Sequence, residues 1–353
     1  MHKLVERLII IALSLFYPLS SYALEVLGYI YRGDSILHLV NDDIIQQNTS
    51  LKSHIKHINV IAPQAYQINE RGTVWGNIDP LIVRLSENNN VELMPLVTNS
   101  DFDSERTHIF LNDPVAQKRA IEQLVLICNA HHFYGFQIDF EHILITDKDA
   151  YTHFYQHASQ ALHAANFKIS AAIFPRTSDN NPTTDRSRSS LEYWSGGYDY
   201  AALSKDSEFV TLMAYDQHGG GTTPGSACEP SWVENIIKYA LQYIPANKIS
   251  IGLPVKSAYW YTSSGHSDFG VKETDLTYPQ LQYLIEKFNI KTHWDSAKKL
   301  SYSVFVNNNL NEFIYAEDKP TFQVKVDLAH KYKLRGVSLW RVGTEDPAIW
   351  ELL

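Results

Sequence analysis

Two carboxylic acids lie close together in the segment GFQIDFEHI, residues 135–143, where polar and large apolar side chains alternate. The polar members are Gln137, Asp139 and Glu141, and the apolar members are Phe136, Ile138 and Phe140. Alternation with a period of two is typical of a β-strand, so the polar groups share one face with successive Cα atoms about 6–7 Å apart. Carboxyl groups buried this close together must share a proton or find partners, which indicates acid–base chemistry.

Eight apolar runs that alternate with amphipathic helices predict the scaffold around this strand. The runs cover residues 26–31, 58–66, 91–99, 135–141, 168–175, 208–216, 248–255 and 335–343. Strict alternation of this kind indicates parallel βαβ units, and eight units close a (β/α)8 TIM barrel of about 250 residues. The competing α/β architecture is a doubly wound open sheet, but no glycine-rich phosphate loop follows the first strand.

The connection between the seventh and eighth strands, residues 256–318, is longer than a single crossover helix needs. It contains the segment SAYWYTSSGHSDFGVKE, a predicted helix over YPQLQYLIEKF, and short extended runs. We therefore expect a small α+β insertion on the rim of a single barrel domain that spans residues 24–353.

The barrel predicts where the acid pair lies. Residues at the carboxyl ends of barrel strands form the active site, and alternate residues face the surrounding helices. Asp139 and Glu141 would then face the barrel axis with Gln137. The alternative is that the two acids belong to a solvated strand face, but the large apolar residues between them favour a strand that is buried on its other side.

Composition and charge narrow the class of protein. The chain has 353 residues, of which 44% are hydrophobic and 20% charged, and these are values of a globular protein. Its net charge is −9 and it has no basic stripe, which argues against a nucleic-acid partner.

The N-terminus resembles a secretory signal peptide over residues 1–23. Basic Lys3 and Arg7 precede an apolar run from Leu8 to Leu19, and small Ser21 and Ala23 occupy the positions that a signal peptidase reads. An uncleaved membrane anchor is the alternative, although the run is short for a spanning helix of about 20 residues. We expect cleavage near Ala23, a secreted or periplasmic protein, and no stable membrane insertion afterwards.

Two cysteines, Cys128 and Cys228, would occur in that oxidising setting. The predicted barrel places Cys128 at its amino-terminal end and Cys228 at its carboxyl-terminal face. Strands of five or six residues at about 3.3 Å each keep the two ends too far apart for a disulfide. We expect two free thiols without a catalytic part.

Three segments resemble motifs of glycoside hydrolase family 18, which includes chitinases and endo-N-acetylglucosaminidases. YGFQIDFE resembles the Asp-Gly-x-Asp-x-Asp-x-Glu strand of the family, LMAYDQHG (212–219) resembles its Met-x-Tyr-Asp motif, and GVSLWRVG resembles its eighth strand. PLVTN and the ending from RGV to EDPAIW are similar to the spore-cortex-lytic branch of N-acetylglucosaminidases. The resemblance covers nearly the whole chain after the N-terminal segment.

The resemblance implies a substrate-assisted retaining mechanism on a glycan that contains N-acetylglucosamine. By that likeness Glu141 is the general acid, Asp139 orients the substrate's 2-acetamido group, and Tyr215 holds the carbonyl of that group. Trp340 and Met213 would form the floor beneath the sugar. Gln137 would support Asp139 and Asp216 would assist the pair, although Asp216 is as well explained as the cap of the next loop.

Other candidates rest on their place near predicted strand ends. Tyr29, Gln64, Asn99 and Tyr259 would line the cleft as substrate-binding residues, and a core or surface position is the alternative for each. The histidines show no metal-ligand spacing, so we expect neither a metal nor another cofactor. We also expect a monomer.

Two positions depart from the family pattern. Tyr134 and Gln137 stand where the strand motif has its first two acidic positions. These changes keep a second hypothesis open, in which the chain is a chitinase-like lectin that binds glycans without cleaving them. The presence of Glu141 favours the enzyme. Whether the polymer is peptidoglycan, chitin or an N-glycan core stays open, and so does exo or endo action.

Overall fold

Eight parallel strands form a closed barrel, which confirms the predicted fold class. The computed structural model describes residues 23–31, 42–179, 182–219, 222–262 and 271–353. The barrel strands are β1 (Glu25–Ile30), β2 (Val60–Ile68), β5 (Leu96–Asn99), β6 (Gly135–Asp139), β7 (Lys168–Ile173), β8 (Val210–Met213), β9 (Ile249–Pro254) and β15 (Gly336–Trp340). Each pairs with the next in that order, and β1 pairs with both β2 and β15 to complete the ring.

The remaining elements of the barrel domain surround this ring. Two short strands pair with β2, namely β3 (Val74–Gly76), which is antiparallel to it, and β4 (Glu92–Leu93), which is parallel. The helices are α1 (Asp42–His54), α2 (Pro80–Asn89), α3 (Ser104–Leu111), α4 (Pro114–His131), α5 (Lys148–Ala164), α6 (Asp185–Ser190), α7 (Tyr200–Asp206), α8 (Pro230–Ala240) and α10 (Lys319–Lys331). No helix in these described ranges is long and apolar enough to cross a bilayer.

The insertion lies between β9 and β15, as predicted. It is an antiparallel sheet of β10 (Ser257–Thr262), β11 (Val271–Leu276), β12 (His293–Asp295), β13 (Leu300–Asn307) and β14 (Leu310–Ala316), in the order β11-β10-β14-β13-β12. Helix α9 (Tyr278–Phe288) covers one face of the sheet and buries Leu281 against Ile314. On the other face, the fully buried Trp260 donates from its indole N–H to the carbonyl of Gly225, 2.8 Å away, and so joins the sheet to the barrel.

The two faces of β6 have the environments that its alternation predicts. Phe136, Ile138 and Phe140 are fully buried in the layer between strands and helices. Phe140 stacks on Phe154 of α5 with ring centroids 5.6 Å apart. The strand itself ends at Asp139, so Glu141 lies just beyond it and another contact must hold its backbone.

Both cysteines are free and buried, in agreement with the sequence prediction. Cys128 lies in α4 on the outside of the barrel. Cys228 lies in the connection from β8 to α8, where its thiol donates to the carbonyl of Ala214 at 2.8 Å. The predicted signal segment falls on residues outside the described ranges, apart from its last position, and stays a prediction.

Candidate active site

A cleft lies at the carboxyl ends of the barrel strands and has two adjoining chambers of about 420 and 850 Å³. The smaller chamber is lined by Asp139 and Trp340 among others. The larger one is lined by residues of the connections that follow β7 and β8. Both chambers share the residues Glu141, Met213, Tyr215 and Asp216. Glu141 therefore lies at the junction of the two chambers.

The carboxyl groups of Asp139 and Glu141 have no hydrogen-bond partner among the described residues. Asp139 is only 5% exposed, and its Oδ1 is fully buried without a partner. Burying a carboxylate without partners costs several kcal/mol, and a protein ordinarily avoids it by neutralising the group. Asp139 is therefore more easily protonated than an exposed carboxyl group.

Burial changes the protonation of the pair. It raises the pKa of Asp139 above its ordinary value. The pKa of Glu141 is raised by burial first, and then by the negative charges of Asp139 and Asp216. Since two like charges in a low-dielectric site cannot both ionise easily, the pair retains a proton at pH values where exposed carboxyl groups have lost theirs.

Asn99, the last residue of β5, positions Glu141. Its Oδ1 accepts from the backbone N–H of Glu141 at 2.9 Å, and its Nδ2 donates to the backbone carbonyl of Glu141 at 2.9 Å. Nδ2 also donates to the hydroxyl of Thr107, 2.7 Å away. Asn99 lines the smaller chamber but is 2% exposed, so its principal contact is with the backbone that carries the acid.

Tyr215 and Trp340 form one wall of the site. Their rings stack with centroids 6.1 Å apart and an interplanar angle of 19°. Gly252 of β9 permits this packing, because a Cβ there would lie 3.2 Å from Cε1 of Tyr215 and 2.8 Å from the carbonyl oxygen of Leu212. Burial raises the pKa of the Tyr215 hydroxyl, which has no hydrogen-bond partner in the described part of the chain and stays protonated as a donor. Met213 lines both chambers beside it.

Gln137 and Tyr29 lie beneath the cleft rather than in it, so Tyr29 does not line the cleft as expected. Gln137 is fully buried, and its carbonyl oxygen accepts from the hydroxyl of Tyr29 at 2.6 Å. Its amide donates to Ser170 at 3.0 Å and Thr211 at 3.2 Å. None of these bonds reaches Asp139, so the expected support of Asp139 by Gln137 is not a hydrogen bond. A neutral amide, bonded on both sides, adds no charge below the acid pair.

Asp216 faces the inserted sheet across the cleft. It is exposed and has a positive φ of 59°. On β11, Glu273 has its pKa raised to about 7, chiefly by burial and next by the charge of Asp275. Lys256 binds Asp275 at 2.5 Å and partly offsets these negative charges. The insertion therefore contributes acidic groups near the barrel mouth.

Of the further cleft candidates, Gln64 lines the smaller chamber. Tyr259 does not line either chamber, because its hydroxyl donates to Glu312 within the inserted sheet. That part of the prediction was wrong. A strand end in the insertion faces α9 as readily as the cleft, and alternation alone does not distinguish the two faces.

Several residues of the larger chamber were not predicted. Trp194 is 40% exposed, and it packs edge-on against His142 at 4.1 Å and against Phe174 at 4.9 Å. Trp232, at the start of α8, lines the same chamber. Trp194 comes from the long connection between β7 and β8, which has no strand period to place it. Its only sequence signal was a pair of aromatic residues in a polar segment. Within the described ranges, no group of three or more His, Cys, Asp or Glu side chains could hold a metal ion.

Paired carboxyl groups at the carboxyl ends of barrel strands are an arrangement that glycoside hydrolases use. The family model of glycosyl hydrolases family 18 matches residues 42–345. The chain belongs to this family, and it is a glycoside hydrolase of the chitinase type.

Two relatives are similar to most of this chain, and one solved structure has the same fold. The chain is 26% identical over 317 residues to the uncharacterized glycosylase YvbX of Bacillus subtilis, covering 88% of each chain. It is 27% identical over 305 residues to the cortical fragment-lytic enzyme of Bacillus subtilis, covering 84% of this chain and 67% of the relative. The crystal structure of the Bacillus megaterium spore cortex-lytic enzyme SleL superposes with a TM-score of 0.80 at 22% identity, covering 93% of this chain and 72% of that one.

Proposed function

We propose that this chain cleaves β-linked glycans that contain N-acetylglucosamine, with retention of configuration and with the substrate's own 2-acetamido group as nucleophile. The observation that carries the proposal is the pair of the buried Asp139 and the partly buried Glu141, whose pKa values are raised and whose carboxyl groups have no hydrogen-bond partner within the described ranges. A neutral carboxylic acid at the junction of two chambers is what a leaving glycosidic oxygen requires.

Glu141 is the general acid in this mechanism. Its proton passes to the glycosidic oxygen as the bond from that oxygen to the anomeric carbon breaks. The acetamido carbonyl oxygen of the same sugar bonds to the anomeric carbon from the opposite face and forms an oxazolinium ion. Water then attacks the anomeric carbon as the bond from that carbon to the acetamido oxygen breaks, and a proton of the water passes to the Glu141 carboxylate. Two inversions at one carbon retain the β-configuration.

Asp139 and Tyr215 act on the acetamido group. The carboxylate of Asp139, which lines the smaller chamber, accepts from the acetamido N–H and stabilises the positive charge of the oxazolinium ion. The protonated Tyr215 hydroxyl donates to the acetamido carbonyl oxygen. Both groups line the smaller chamber together with Trp340, so the reacting sugar occupies that chamber with its apolar face on the indole. The leaving sugar then occupies the larger chamber, beside Trp194 and Trp232.

Peptidoglycan is the favoured polymer and chitin fragments are the second candidate. Two of the most similar relatives are a glycosylase and a cortical fragment-lytic enzyme. The larger chamber, about 850 Å³, has room for a leaving sugar with a substituent. We also propose export, on the signal-like sequence of residues 1–23. The mass of the protein recovered from the periplasm or the medium tests export, because cleavage near Ala23 removes a defined peptide.

The decisive experiment is incubation of the chain with purified peptidoglycan, chitin oligosaccharides and an N-glycan core, with products identified by mass. Products that end in N-acetylglucosamine support the proposal, and the polymer that yields them is the substrate. The Glu141→Gln variant is the control for contaminating hydrolases. Binding of all three glycans without any cleavage would instead support the lectin hypothesis.

A further inference from the structure

Strand β2 contains a β-bulge that brings a second amide into the cleft. Gln64 pairs with Leu96 on β5, but the next pair is Tyr66 with Val97, so one residue of β2 is unpaired. Up to Gln64, alternate residues of β2 face the barrel interior. Beyond the bulge the alternation is reversed, so that Tyr66 packs outward against Phe136 and Gln67 faces inward. Bulges next to active sites re-aim side chains in this way.

The amides of Gln64 and Gln67 are available to a ligand. Gln64 and Gln67 both line the smaller chamber, as do Asp139 and Trp340. Neither side chain makes a hydrogen bond to the described residues. A carboxamide offers two donors and two acceptor lone pairs, which suits the hydroxyl and acetamido groups of a sugar.

An exposed tryptophan stands beside Gln67. Trp75 of β3 pairs directly with Gln67 across the antiparallel β2–β3 hairpin, and directly opposed residues place their side chains on the same face. The indole is 41% exposed and packs against no other described aromatic ring. An amide next to an exposed indole combines a hydrogen-bonding group with a flat apolar surface. A sugar ring has hydroxyl groups that can bond to the amide and an apolar face that can pack on the indole.

The hairpin that carries Gln67 and Trp75 is held in place. Gln123 of α4 accepts from the N–H of Val74 at 3.1 Å and donates to the carbonyl of Gly72 at 2.9 Å. Gly76 has a φ of +145°, and a Cβ there would lie 1.9 Å from the carbonyl oxygen of Ala65, the unpaired residue of the bulge. Only glycine at this position lets β3 approach the bulge so closely. Contacts within the protein therefore fix the position of the hairpin, so Gln67 and Trp75 do not need a ligand to bring them together.

We propose that Gln67 and Trp75 form a sugar-binding subsite on the β2–β3 hairpin, next to the chamber that holds the reacting sugar. Its ligand is a further amino-sugar unit on the non-reducing side of the cleaved bond, with one face on the indole of Trp75 and a polar group bonded to Gln67. Gln64 binds closer to the reacting sugar. This inference rests on the proposed function for the direction in which the glycan lies.

Binding to the acid-deficient Glu141→Gln protein tests the subsite without turnover. In calorimetry with triacetylchitotriose, Trp75→Ala should weaken the affinity about tenfold and Gln67→Ala about threefold to tenfold, the ordinary range for a lost aromatic contact and a lost hydrogen bond. Trp294 of β12 is 46% exposed, and Trp294→Ala is the matched control, expected to leave the affinity unchanged.

A second assay separates the subsite from damage to the chamber. With Glu141 intact, Trp75→Ala should hydrolyse an aryl N-acetylglucosaminide, which has a single sugar, within about twofold of the wild-type kcat/KM. Undiminished affinity of Trp75→Ala for triacetylchitotriose, or no binding of it by the parent protein, overturns the subsite. The subsite is also overturned if Trp75→Ala lowers kcat/KM on the aryl N-acetylglucosaminide by the same factor as it lowers the affinity for triacetylchitotriose. Intact binding without any turnover by the wild type contradicts the proposed function and leaves the subsite supported.

Discussion

The two ends of the Asn99 carboxamide bind the two backbone polar groups of Glu141, each at 2.9 Å. Since β6 ends at Asp139, no strand pairing fixes Glu141, and this amide takes the place of the sheet. Thr107 of α3 fixes the amide in turn. The orientation of the acid therefore depends on the neighbouring strand as much as on its own.

Asn99→Leu should lower kcat about 10- to 100-fold, because it keeps the branched shape of the side chain and removes both bonds to Glu141, and small displacements of a catalytic group cost this much. KM should change far less. Thr107→Val is the matched control, since it removes a bond to Asn99 and leaves both bonds to Glu141. Near-native kcat in Asn99→Leu, or an equal loss in Thr107→Val, would contradict the positioning role.

Glu141→Gln should reduce kcat at least about 100-fold on natural glycans, the low end of the range for general acid catalysis, with little change in binding. Aryl glycosides with acidic leaving groups should suffer less because they need little protonation. Glu122→Gln, a change on the exposed surface of α4, controls for the substitution. Initial rates on both substrate types check the prediction, and equal losses on the two would argue against proton donation by Glu141.

Asp216→Asn should move the alkaline limb of the kcat/KM profile to lower pH. Glu141 acts in its protonated form, so the rate falls as pH rises through its raised pKa. The negative charge of Asp216 contributes to that rise, and its removal lowers the pKa of Glu141. Asp101→Asn is the control, because Asp101 lines the smaller chamber without being one of the charges that raise this pKa. An unmoved limb, or one moved to higher pH, would show that Asp216 does not act on Glu141.

The two thiols should not react with a thiol reagent in the native protein, and both should react after denaturation without prior reduction. Burial raises the pKa of Cys128 and of Cys228 to about 12, and the thiolate is the reactive form. Labelling with a thiol reagent, followed by intact mass, should give no adduct in buffer and two in denaturant. A disulfide-linked peptide that joins the two residues would contradict the barrel itself.

Local pattern predicted the features that depend on local geometry. The alternation around Asp139 gave the correct face for each residue of β6, because the period of a strand is the same in any fold. The strict alternation of eight strands with helices predicted the closed barrel, because each strand–helix–strand unit places its two strands side by side and parallel. The depth of each side chain below the mouth of the barrel was not predictable from the alternation. Gln137 has the same face as Asp139, yet it lies one layer lower, where Tyr29 and Thr211 from other strands close over it.

Features that depend on contacts between distant segments were not predicted. The bulge at Ala65 reverses the alternation of β2, so an uninterrupted strand would place Tyr66 inside the barrel and Gln67 outside. The bulge packs closely against Gly76 of β3, a contact between segments that the local pattern does not contain. Trp194 lies in the connection between β7 and β8, where the sequence has no strand or helix periodicity that would predict its position. Its ring packs against Phe174 and His142.

The anomeric configuration of fresh product tests the central claim most directly. Proton NMR of wild-type hydrolysis of a chitin oligosaccharide, recorded before mutarotation, should show the new reducing end as the β-anomer. A thiazoline that mimics the oxazolinium ion should inhibit, and a substrate with hydroxyl in place of the reacting 2-acetamido group should not be cleaved. Initial release of the α-anomer would contradict substrate assistance and, with it, the roles of Asp139 and Tyr215.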